Sequence, residues 1–349
     1  MDEFSLSGLT RKNQKRQLVS PSRLVLFLGA LLIVGLWLYV NYQIEHDYDR
    51  TIVEASQETL NLTKAFEEHV RRVLADADHD LCTLKLLYEW QPPSRSALAA
   101  YSLITPEDPS RSTVAVYNEQ GVVVDSFTPN ALGQNRSDRE YFQVHREFTS
   151  QKLYIGKPII DRIEGIAVIP LTRRINKLDG TFGGIVYVGL RADYFLEFYK
   201  KIDLGQNQLI SLSGTDGFNR ARRVGDNVAT GQDNRGSVFW ENVQTGRPYA
   251  SFVATNVLDG VSRITSYRIM PDYPLIVAVG KSTQVALTYY EQRKQGYIGG
   301  ASLVSVIIFI FGSLLVSTNE KNKKLTMGVQ RERDRLSSLI NSISDEVWF

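Results

Sequence analysis

Two long uncharged stretches interrupt the hydrophobic pattern of this chain. Residues 24–40 carry no charged side chain over about 17 positions, and residues 297–316 carry none over about 20. At a rise of about 1.5 Å per residue, helices of these lengths come close to or match a hydrocarbon core roughly 30 Å thick. We predict transmembrane helices at 24–40 and 296–317. A cleaved signal peptide is the alternative for the first stretch, but its apolar run is long and no small-residue cleavage site follows.

Basic residues near the two stretches predict the orientation. Five of them precede the first stretch and three follow the second, and such residues favour the cytoplasmic side. The tail at 1–23 and a signalling helix at 318–338 are therefore expected in the cytoplasm, and residues 42–295 on the outer side of the membrane. The basic residues are Arg11, Lys12, Lys15, Arg16, Arg23, Lys321, Lys323 and Lys324.

Apolar residues recur at helical spacing after the first stretch. They advance in steps of three and four along one face, as in an amphipathic helix. We predict a single long helix over residues 41–91, ended by Pro92-Pro93. The stripe consists of Leu62, Phe66, Val70, Val73, Ala77, Leu81 and Leu84.

The pattern then changes to short strands and turns. Residues 113–117 and 122–127 flank Asn-Glu-Gln-Gly, and residues 165–172 and 182–190 flank Lys-Leu-Asp-Gly, which predicts two hairpins. Residues 192–201 are predicted to be helical.

The same order of elements returns in the second half. A strand at 209–213 leads into Gly-Thr-Asp-Gly, and residues 263–269 and 275–280 form another predicted hairpin. Residues 283–295 are predicted to form a helix that runs into the second transmembrane stretch. We interpret this as a repeat of strand order and not of residues. The predicted modules are 92–204 and 205–295, with a boundary near Leu204-Gly205.

A short heptad pattern follows the second transmembrane stretch, with one charged core position at Glu332. Steps of four and three directly after a membrane span favour a parallel homodimer. The core positions are Leu325, Val329, Glu332, Leu336, Leu339 and Ile343.

Several segments resemble the double Cache (tandem PAS-like) sensor family of bacterial receptors, as found on diguanylate cyclases and sensor kinases. The resemblance covers residues 53–295, and it implies an α+β fold with a long N-terminal helix and two tandem PAS-like sheets, mixed or antiparallel, between two transmembrane helices. It also implies a ligand pocket in the membrane-distal module. The segments are SDREYF (137–142), YIGKPI (154–159), VIPLTRRI (168–175), DGTFGGIVYVGLRADYF (179–195), RITSYRI (263–269) and YPLIVAVGKS (273–282).

The last stretch, RDRLSSLINSISDEVWF, resembles the first helix and strand of an intracellular PAS domain. We place the start of that domain at 339–349. The resemblance implies an output domain beyond Phe349, either a histidine kinase or a diguanylate cyclase.

The stretch SDREYFQVHREF at 137–148 combines an arginine, aromatic side chains and a histidine. Ser137 lies three residues before Glu140, which predicts a capping box and a helix start. Arg139 and Phe142 would share a face of that helix with Tyr141 nearby. An arginine fork binds a carboxylate and rings enclose its apolar part, so we predict that these three residues bind a ligand. The alternative is a surface ion pair beside core aromatics.

Family members that bind amino acids carry an arginine, a tryptophan and a tyrosine at RxWY spacing, with an upstream tyrosine and a later aspartate. Arg139 matches the arginine, while Tyr141 and Phe142 replace the two aromatics. Gln134 replaces the upstream tyrosine, and Gly189 stands where the aspartate is expected. The resemblance therefore favours a carboxylate or other organic anion over an amino acid.

Tyr154, Lys157 and Arg173 are further candidates for the pocket, although each residue type is more often found at the solvated surface. The four histidines form no HExxH arrangement, and GxSxG and GxxxxGK[ST] are absent from the sequence. We therefore expect no catalytic residue, metal or cofactor within this chain.

The net charge of +2 gives no bias toward nucleic acid. The single cysteine, Cys82, excludes an intrachain disulfide, so the exterior segment must be held together by its core. The expected partners are a small molecule, membrane lipid and a second copy of the chain. An alternative function is an exterior module that senses a partner protein and no small molecule.

Overall fold

The computed structural model describes residues 21–90, 97–102, 108–197 and 207–346. The expected helix stop at Pro92-Pro93, the module boundary at Leu204-Gly205 and the predicted strand at the end of the chain lie outside the described residues. Asp49–Tyr289 form one compact unit, and the long helical segments before and after it form another.

Two very long helices contain the predicted membrane spans. Helix α1 covers Pro21–Trp90 and helix α7 covers Thr288–Glu346. Each contains a window with mean hydropathy 2.3 whose side chains are almost entirely exposed, so both are long and apolar enough to cross a membrane. The expected pair of apolar helices is confirmed.

The apolar parts of α1 and α7 also carry polar contacts between them. The indole nitrogen of Trp37 donates to the hydroxyl of Ser305 at 3.2 Å. Asp47 accepts from Arg293 at 3.2 Å and from Tyr297 at 3.1 Å. These bonds fix the register of the two helices near one end of the apolar windows.

The helix predicted over residues 283–295 is not continuous. A short helix α6 covers Thr283–Ala286, its C-cap is Leu287, and α7 begins only at Thr288. The last helix of the second module is therefore one turn long and separate from the membrane-length helix.

The apolar stripe of α1 is buried along its length. Phe66, Val70, Leu81 and Leu84 have no exposed surface. They share one core cluster with side chains of both sheets, among them Val186 of the first and Val277 of the second. The predicted amphipathic helix is confirmed. Its single apolar stripe packs against both sheets and so contributes to the core of both modules.

The first module is an antiparallel six-stranded sheet in the order β2-β1-β6-β5-β3, with β4 also paired to β5. Both predicted hairpins, β1–β2 and β5–β6, are present. The strands are β1 Arg111–Asn118, β2 Val123–Ser126, β3 Tyr154–Ile155, β4 Ile159–Ile160, β5 Ala167–Asn176 and β6 Phe182–Arg191; the helices are α2 Ala97–Ser102, a 3-10 turn Pro129–Ala131, α3 Glu140–Glu147 and α4 Tyr194–Glu197.

The second module is another antiparallel six-stranded sheet, in the order β10-β11-β12-β7-β8-β9. Its predicted hairpin, β11–β12, is confirmed, whereas β9, β10 and helix α5 have no counterpart in the sequence-based prediction. The elements are β7 Leu209–Gly214, β8 Asn219–Val224, β9 Asn227–Ala229, α5 Val238–Gln244, β10 Tyr249–Thr255, β11 Ser262–Ile269 and β12 Leu275–Ser282.

Each sheet is covered on two faces. The face opposite α1 packs against α3 in the first module, where Phe142 lies in a cluster with Ile185 and Tyr187. In the second module the same face packs against α5, where Val243 lies beside Tyr267. Alternate residues of a strand point to opposite faces, so each strand contributes both to the α1 core and to a second, smaller core.

The repeat of strand order includes the loop that precedes the helix of each module. GQNRSDREYF (133–142) and GQDNRGSVFW (231–240) occupy the same place after the first hairpin of each module. The amide of Arg136 donates to Gly121 at 2.8 Å, and the amide of Asn234 donates to Gly217 at 2.9 Å. The two loops therefore have matching backbone hydrogen bonds.

Gly121 and Gly217 are required by these turns. Their φ angles are +81° and +87°, in the left-handed region that favours glycine. A Cβ at Gly121 would lie 2.7 Å from Ser137, and one at Gly217 would lie 2.3 Å from the Cγ of Arg235. The hairpin turn can therefore approach the loop before the helix only because it has no side chain.

Candidate functional site

Helix α3 begins later than the sequence suggests. Its N-cap is Arg139, whose side chain makes no capping hydrogen bond. The carboxylate of Glu140 accepts from the hydroxyl of Tyr154 at 3.0 Å and does not reach back toward Ser137. The predicted capping box of Ser137 and Glu140 is therefore wrong, and the guanidinium of Arg139 takes no part in capping the helix.

A narrow cavity lies between the start of α3, the sheet and the segment that follows β4. Its volume is about 20 Å³, which is room for one or two waters. Of the predicted residues, Arg139 and Tyr141 line it. Arg136, Tyr117 and Tyr187 also line it, and the sequence-based prediction did not include them.

Two arginines give the cavity a positive character. Arg136 is only 8% exposed and donates to the side-chain oxygen of Gln134. The Nε of Arg139 is buried and has no hydrogen-bond partner. Within the described ranges, neither guanidinium has a carboxylate within 4.0 Å, whereas the neighbouring Arg162 is paired with Asp138 at 3.1 Å. The charges of Arg136 and Arg139 therefore remain available to an anion.

Three tyrosines form the aromatic wall. The ring centroids lie 5.2 Å apart for Tyr141 and Tyr187, 5.7 Å for Tyr117 and Tyr187, and 6.2 Å for Tyr117 and Tyr141. Burial raises the pKa of each of the three hydroxyls, so all stay protonated at neutral pH. Protonated hydroxyls next to two guanidinium groups add hydrogen-bond donors to the positive charge.

Asp161 also lines the cavity, at the point where the chain leaves β4. One of its oxygens accepts the backbone N–H groups of Ile163 at 2.7 Å and Glu164 at 2.8 Å. The sequence comparison placed the missing acid at Gly189, but the structure supplies an acid from a different segment. The absence of an acid at Gly189 is therefore no argument against an amino acid ligand.

Phe142 and Tyr154 lie outside the cavity lining. Phe142 has no exposed surface and packs edge-on against Phe182 at 5.4 Å, as in the core alternative. Tyr154 is half-buried between Glu140 and the ring of His145, whose centroid lies 6.1 Å away. Burial raises the pKa of Tyr154 as well. Both residues support α3 from behind the cavity.

Lys157 and Arg173 also lie outside the cavity lining. The ammonium of Lys157 lies 4.4 Å from the ring centroid of Phe218 in the second module, and Arg235 lies 4.8 Å from the same ring. Arg173 binds Asp78 of α1 through two hydrogen bonds of 2.5 and 2.9 Å, on the face of the sheet opposite α3. Adjacent residues of a strand point to opposite faces, and Arg174 is the one that points toward α3, where it donates to the carbonyl oxygen of His145. Arg173 therefore points away from α3.

The sequence contained signals for the missed residues. Arg136 lies three positions before Arg139, whose backbone N–H donates to the carbonyl oxygen of Arg136 at 3.1 Å in the turn before α3. Tyr117 lies two residues after Ala115 in β1, and Ala115 pairs with Tyr187 of β6. Because side chains alternate between the two faces of a sheet, this pairing would have placed both tyrosines on one face. Asp161 follows a two-residue strand that the sequence did not predict, so no pattern indicated it.

A family model described as a histidine kinase sensor domain (dCache_1_like) matches residues 192–280. The extracellular domain of a putative histidine kinase, rpHK1S-Z16, is 28% identical with a TM-score of 0.60, covering 68% of this chain and 98% of that one. The periplasmic sensory domain of the Campylobacter jejuni chemoreceptor Tlp1 shares the fold at 13% identity and a TM-score of 0.53, covering 69% of this chain and 98% of that one. No curated protein matches the chain. The expected resemblance to double Cache sensor domains is thereby confirmed: the chain is similar to the extracellular sensor domain of a histidine kinase and shares its fold with that of a chemoreceptor.

Proposed function

We propose that this chain is the sensing part of a bacterial inner-membrane receptor whose distal module binds a small organic anion. The observation that carries this proposal is the pair Arg136 and Arg139, which share one tyrosine-lined cavity without a carboxylate partner among the described residues. Guanidinium groups bind carboxylates with two parallel hydrogen bonds, and the tyrosine rings would enclose a short apolar body.

The charge of the lining favours an anion over a zwitterion. Arg136 and Arg139 contribute two positive charges, and Asp161 contributes one negative charge that is already stabilised by two backbone N–H groups. A ligand with a net negative charge would balance the cavity better than an amino acid. A volume of about 20 Å³ is smaller than such a ligand, so its lining must move apart on binding.

The proposed signal path runs through the long helices. We place residues 42–295 in the periplasm or extracellular space and both termini in the cytoplasm, on the charge distribution described above. Ligand binding shifts the receptor toward one of two arrangements by the difference in affinity, typically about 1–3 kcal/mol. A kinase output is supported by the description of the matching family, and a diguanylate cyclase output by the first resemblance only.

We propose a parallel homodimer as the transmitting state. Several apolar heptad positions of α7 are exposed, and a second copy of the chain presents the same stripe. Membrane lipid would cover the apolar windows of α1 and α7. The exposed heptad positions on which this proposal rests are Leu325, Val329 and Leu336.

Thermal unfolding of the full chain in detergent micelles tests the ligand. The probes are acetate, propionate and succinate, with ethylamine as the cationic counterpart. A free ligand concentration about 100 times the dissociation constant stabilises the folded state by about 2.7 kcal/mol. We expect a carboxylate to raise the melting temperature of the wild type and of Arg146→Ala, since Arg146 is an exposed arginine of the same helix. Arg139→Ala should melt like the unliganded wild type and show no increase.

An increase retained by Arg139→Ala would show that the ligand binds elsewhere. If no small molecule raises the melting temperature while a periplasmic protein co-purifies with the chain, the protein-sensing alternative is correct.

A further inference from the structure

We infer that the second module contains a binding site of its own, for a small uncharged molecule whose groups both donate and accept hydrogen bonds. A cavity of about 30 Å³ lies between α5 and the second sheet. It exceeds the roughly 10–15 Å³ that a single water requires, so it has room for two or three waters, and its lining must move apart to admit a larger molecule, as in the first cavity. This inference concerns a different cavity from the proposed anion site.

The repeat places this cavity in the same position as the distal one. Asn234 occupies the position of Arg136, as the matching hydrogen bonds to Gly217 and Gly121 show. Counting along the two aligned loops, Ser237 occupies the position of Arg139. Both Asn234 and Ser237 line the second cavity. The same backbone framework therefore presents neutral side chains where the distal module presents two guanidinium groups.

Among the described residues, Arg222 is the one charged side chain that lines the second cavity. Its guanidinium donates to Asp259 at 2.6 Å, and Asp259 also accepts from Arg263 at 2.8 Å. An anion in the cavity would therefore meet only a guanidinium that is already paired with a carboxylate, which favours an uncharged ligand.

Two hydroxyl residues in the lining have unused hydrogen-bonding capacity. Ser211 is 5% exposed and Thr265 is 6% exposed. Their hydroxyls form no hydrogen bond in the part of the chain that the structure describes. Both residues line the cavity, and a hydroxyl can donate one hydrogen bond and accept others, so a molecule in the cavity could bond to both.

Two buried amides complete the polar side of the cavity. Asn234 donates to the side-chain oxygen of Asn219 at 2.6 Å, and Ser213 donates to the same oxygen at 2.7 Å. This network fixes the amide orientations. The opposite wall consists of Phe239 and Phe252. A polar floor under an aromatic wall fits a short amide or diol, with an apolar side toward the rings.

Saturation-transfer NMR on the full chain in lipid nanodiscs tests this inference. The probes are acetamide and ethylene glycol, which distinguish an amide from a hydroxyl ligand, and acetate, the charged isostere of acetamide. We expect acetamide or ethylene glycol to receive saturation with an affinity that Arg139→Ala leaves unchanged. Thr265→Val keeps the shape and removes one hydrogen bond, so it should weaken binding about fivefold. Ser211→Ala should have a similar effect.

Several results would overturn the inference. One such result is that neither acetamide nor ethylene glycol receives saturation. Another is that the neutral probes bind Thr265→Val and Ser211→Ala as tightly as they bind the wild type. Acetate binding that is weakened by Thr265→Val would also overturn it, because the site would then accept an anion. Hydrogen exchange of α5 in each variant shows that the module is folded, so loss of the fold is not mistaken for loss of a contact.

Discussion

The two six-stranded modules share one backbone design and differ in the side chains placed on it. The register pairs Tyr187 with Ala115 in the first sheet and Ala278 with Ser211 in the second, so the tyrosine that lines the first cavity corresponds to an alanine of the second sheet. Arg136 and Arg139 likewise correspond to Asn234 and Ser237. The comparison teaches that the fold supplies a cavity at a fixed place, while a few side chains decide the charge of its lining.

The N-cap residues of the helices that border the two cavities differ in the same way. Ser237 accepts the backbone N–H of Trp240 at 3.3 Å and caps α5. Arg139 occupies the N-cap of α3 without a capping hydrogen bond. Serine is among the best N-cap residues, whereas arginine has no acceptor with which to cap. The first module thus forgoes a local stabilising contact and keeps a guanidinium in the cavity, a conflict that is expected at functional sites.

Replacing the aromatic residue behind each cavity by alanine should give the largest difference in stability between the two modules. Phe142 is fully buried, so Phe142→Ala should cost about 3–5 kcal/mol. Trp240, its counterpart in α5, is only partly buried, and Trp240→Ala should cost less. Hydrogen exchange of the full chain, read on peptides of α3 and α5, measures each opening free energy separately. Equal losses would mean that the two helices are not supported differently.

Acid should destabilise the first module specifically. Burial, with Arg173 and Arg174 nearby, lowers the pKa of His145 from its ordinary value of 6.5 to about 4, despite its hydrogen bond to Thr172. The unfolded chain then binds more protons between these values, so stability is lost as the pH falls through that window. We expect a loss of about 2 kcal/mol between pH 7 and pH 5.

Urea unfolding of the full chain in micelles at both pH values measures that loss. His145→Gln removes the titrating group and should remove most of the loss. His79→Gln changes an exposed histidine of α1 and serves as the control. A pH dependence that survives in His145→Gln would show that another group is responsible.

Substitutions of the two N-cap residues should have the smallest effects on stability, and one of them separates stability from ligand binding. Ser237→Ala should cost about 1 kcal/mol in the second module. Arg139→Ser should leave the first module equally stable or up to about 1 kcal/mol more stable, because the serine can cap α3. The same variant should lose carboxylate binding. Thermal unfolding with and without acetate, propionate and succinate measures both quantities; a stable Arg139→Ser protein that still binds would contradict the proposed role of Arg139.

Regular patterns made most of the fold predictable from the sequence. The α1 stripe and three hairpins follow from helical spacing and from turn residues, which act locally. Strands β3, β4 and β9 are two or three residues long, too short to produce an alternating pattern. Helix α5 was missed because its seven residues give less than two turns of periodicity.

The candidate site was predictable only in part, since a cavity is assembled from distant segments. Arg139 and Tyr141, which line the cavity, lie close together in one motif, so the sequence could group them. Arg173 points away from α3, because a one-residue change along a strand reverses the face to which a side chain points. Asp161 and Tyr187 reach the cavity through sheet register, which the sequence does not state.

The ring of Phe218 is a point of contact between the two modules. The ammonium of Lys157, which follows β3 in one module, lies 4.4 Å from its centroid, and the guanidinium of Arg235, which precedes α5 in the other, lies 4.8 Å from it. Lys157 lies two residues before Ile159 of the first cavity, and Phe218 adjoins Asn219 of the second. Any effect of binding in one cavity on the other that is transmitted through this contact must be reciprocal, because linkage requires each ligand to change the affinity of the other by the same factor.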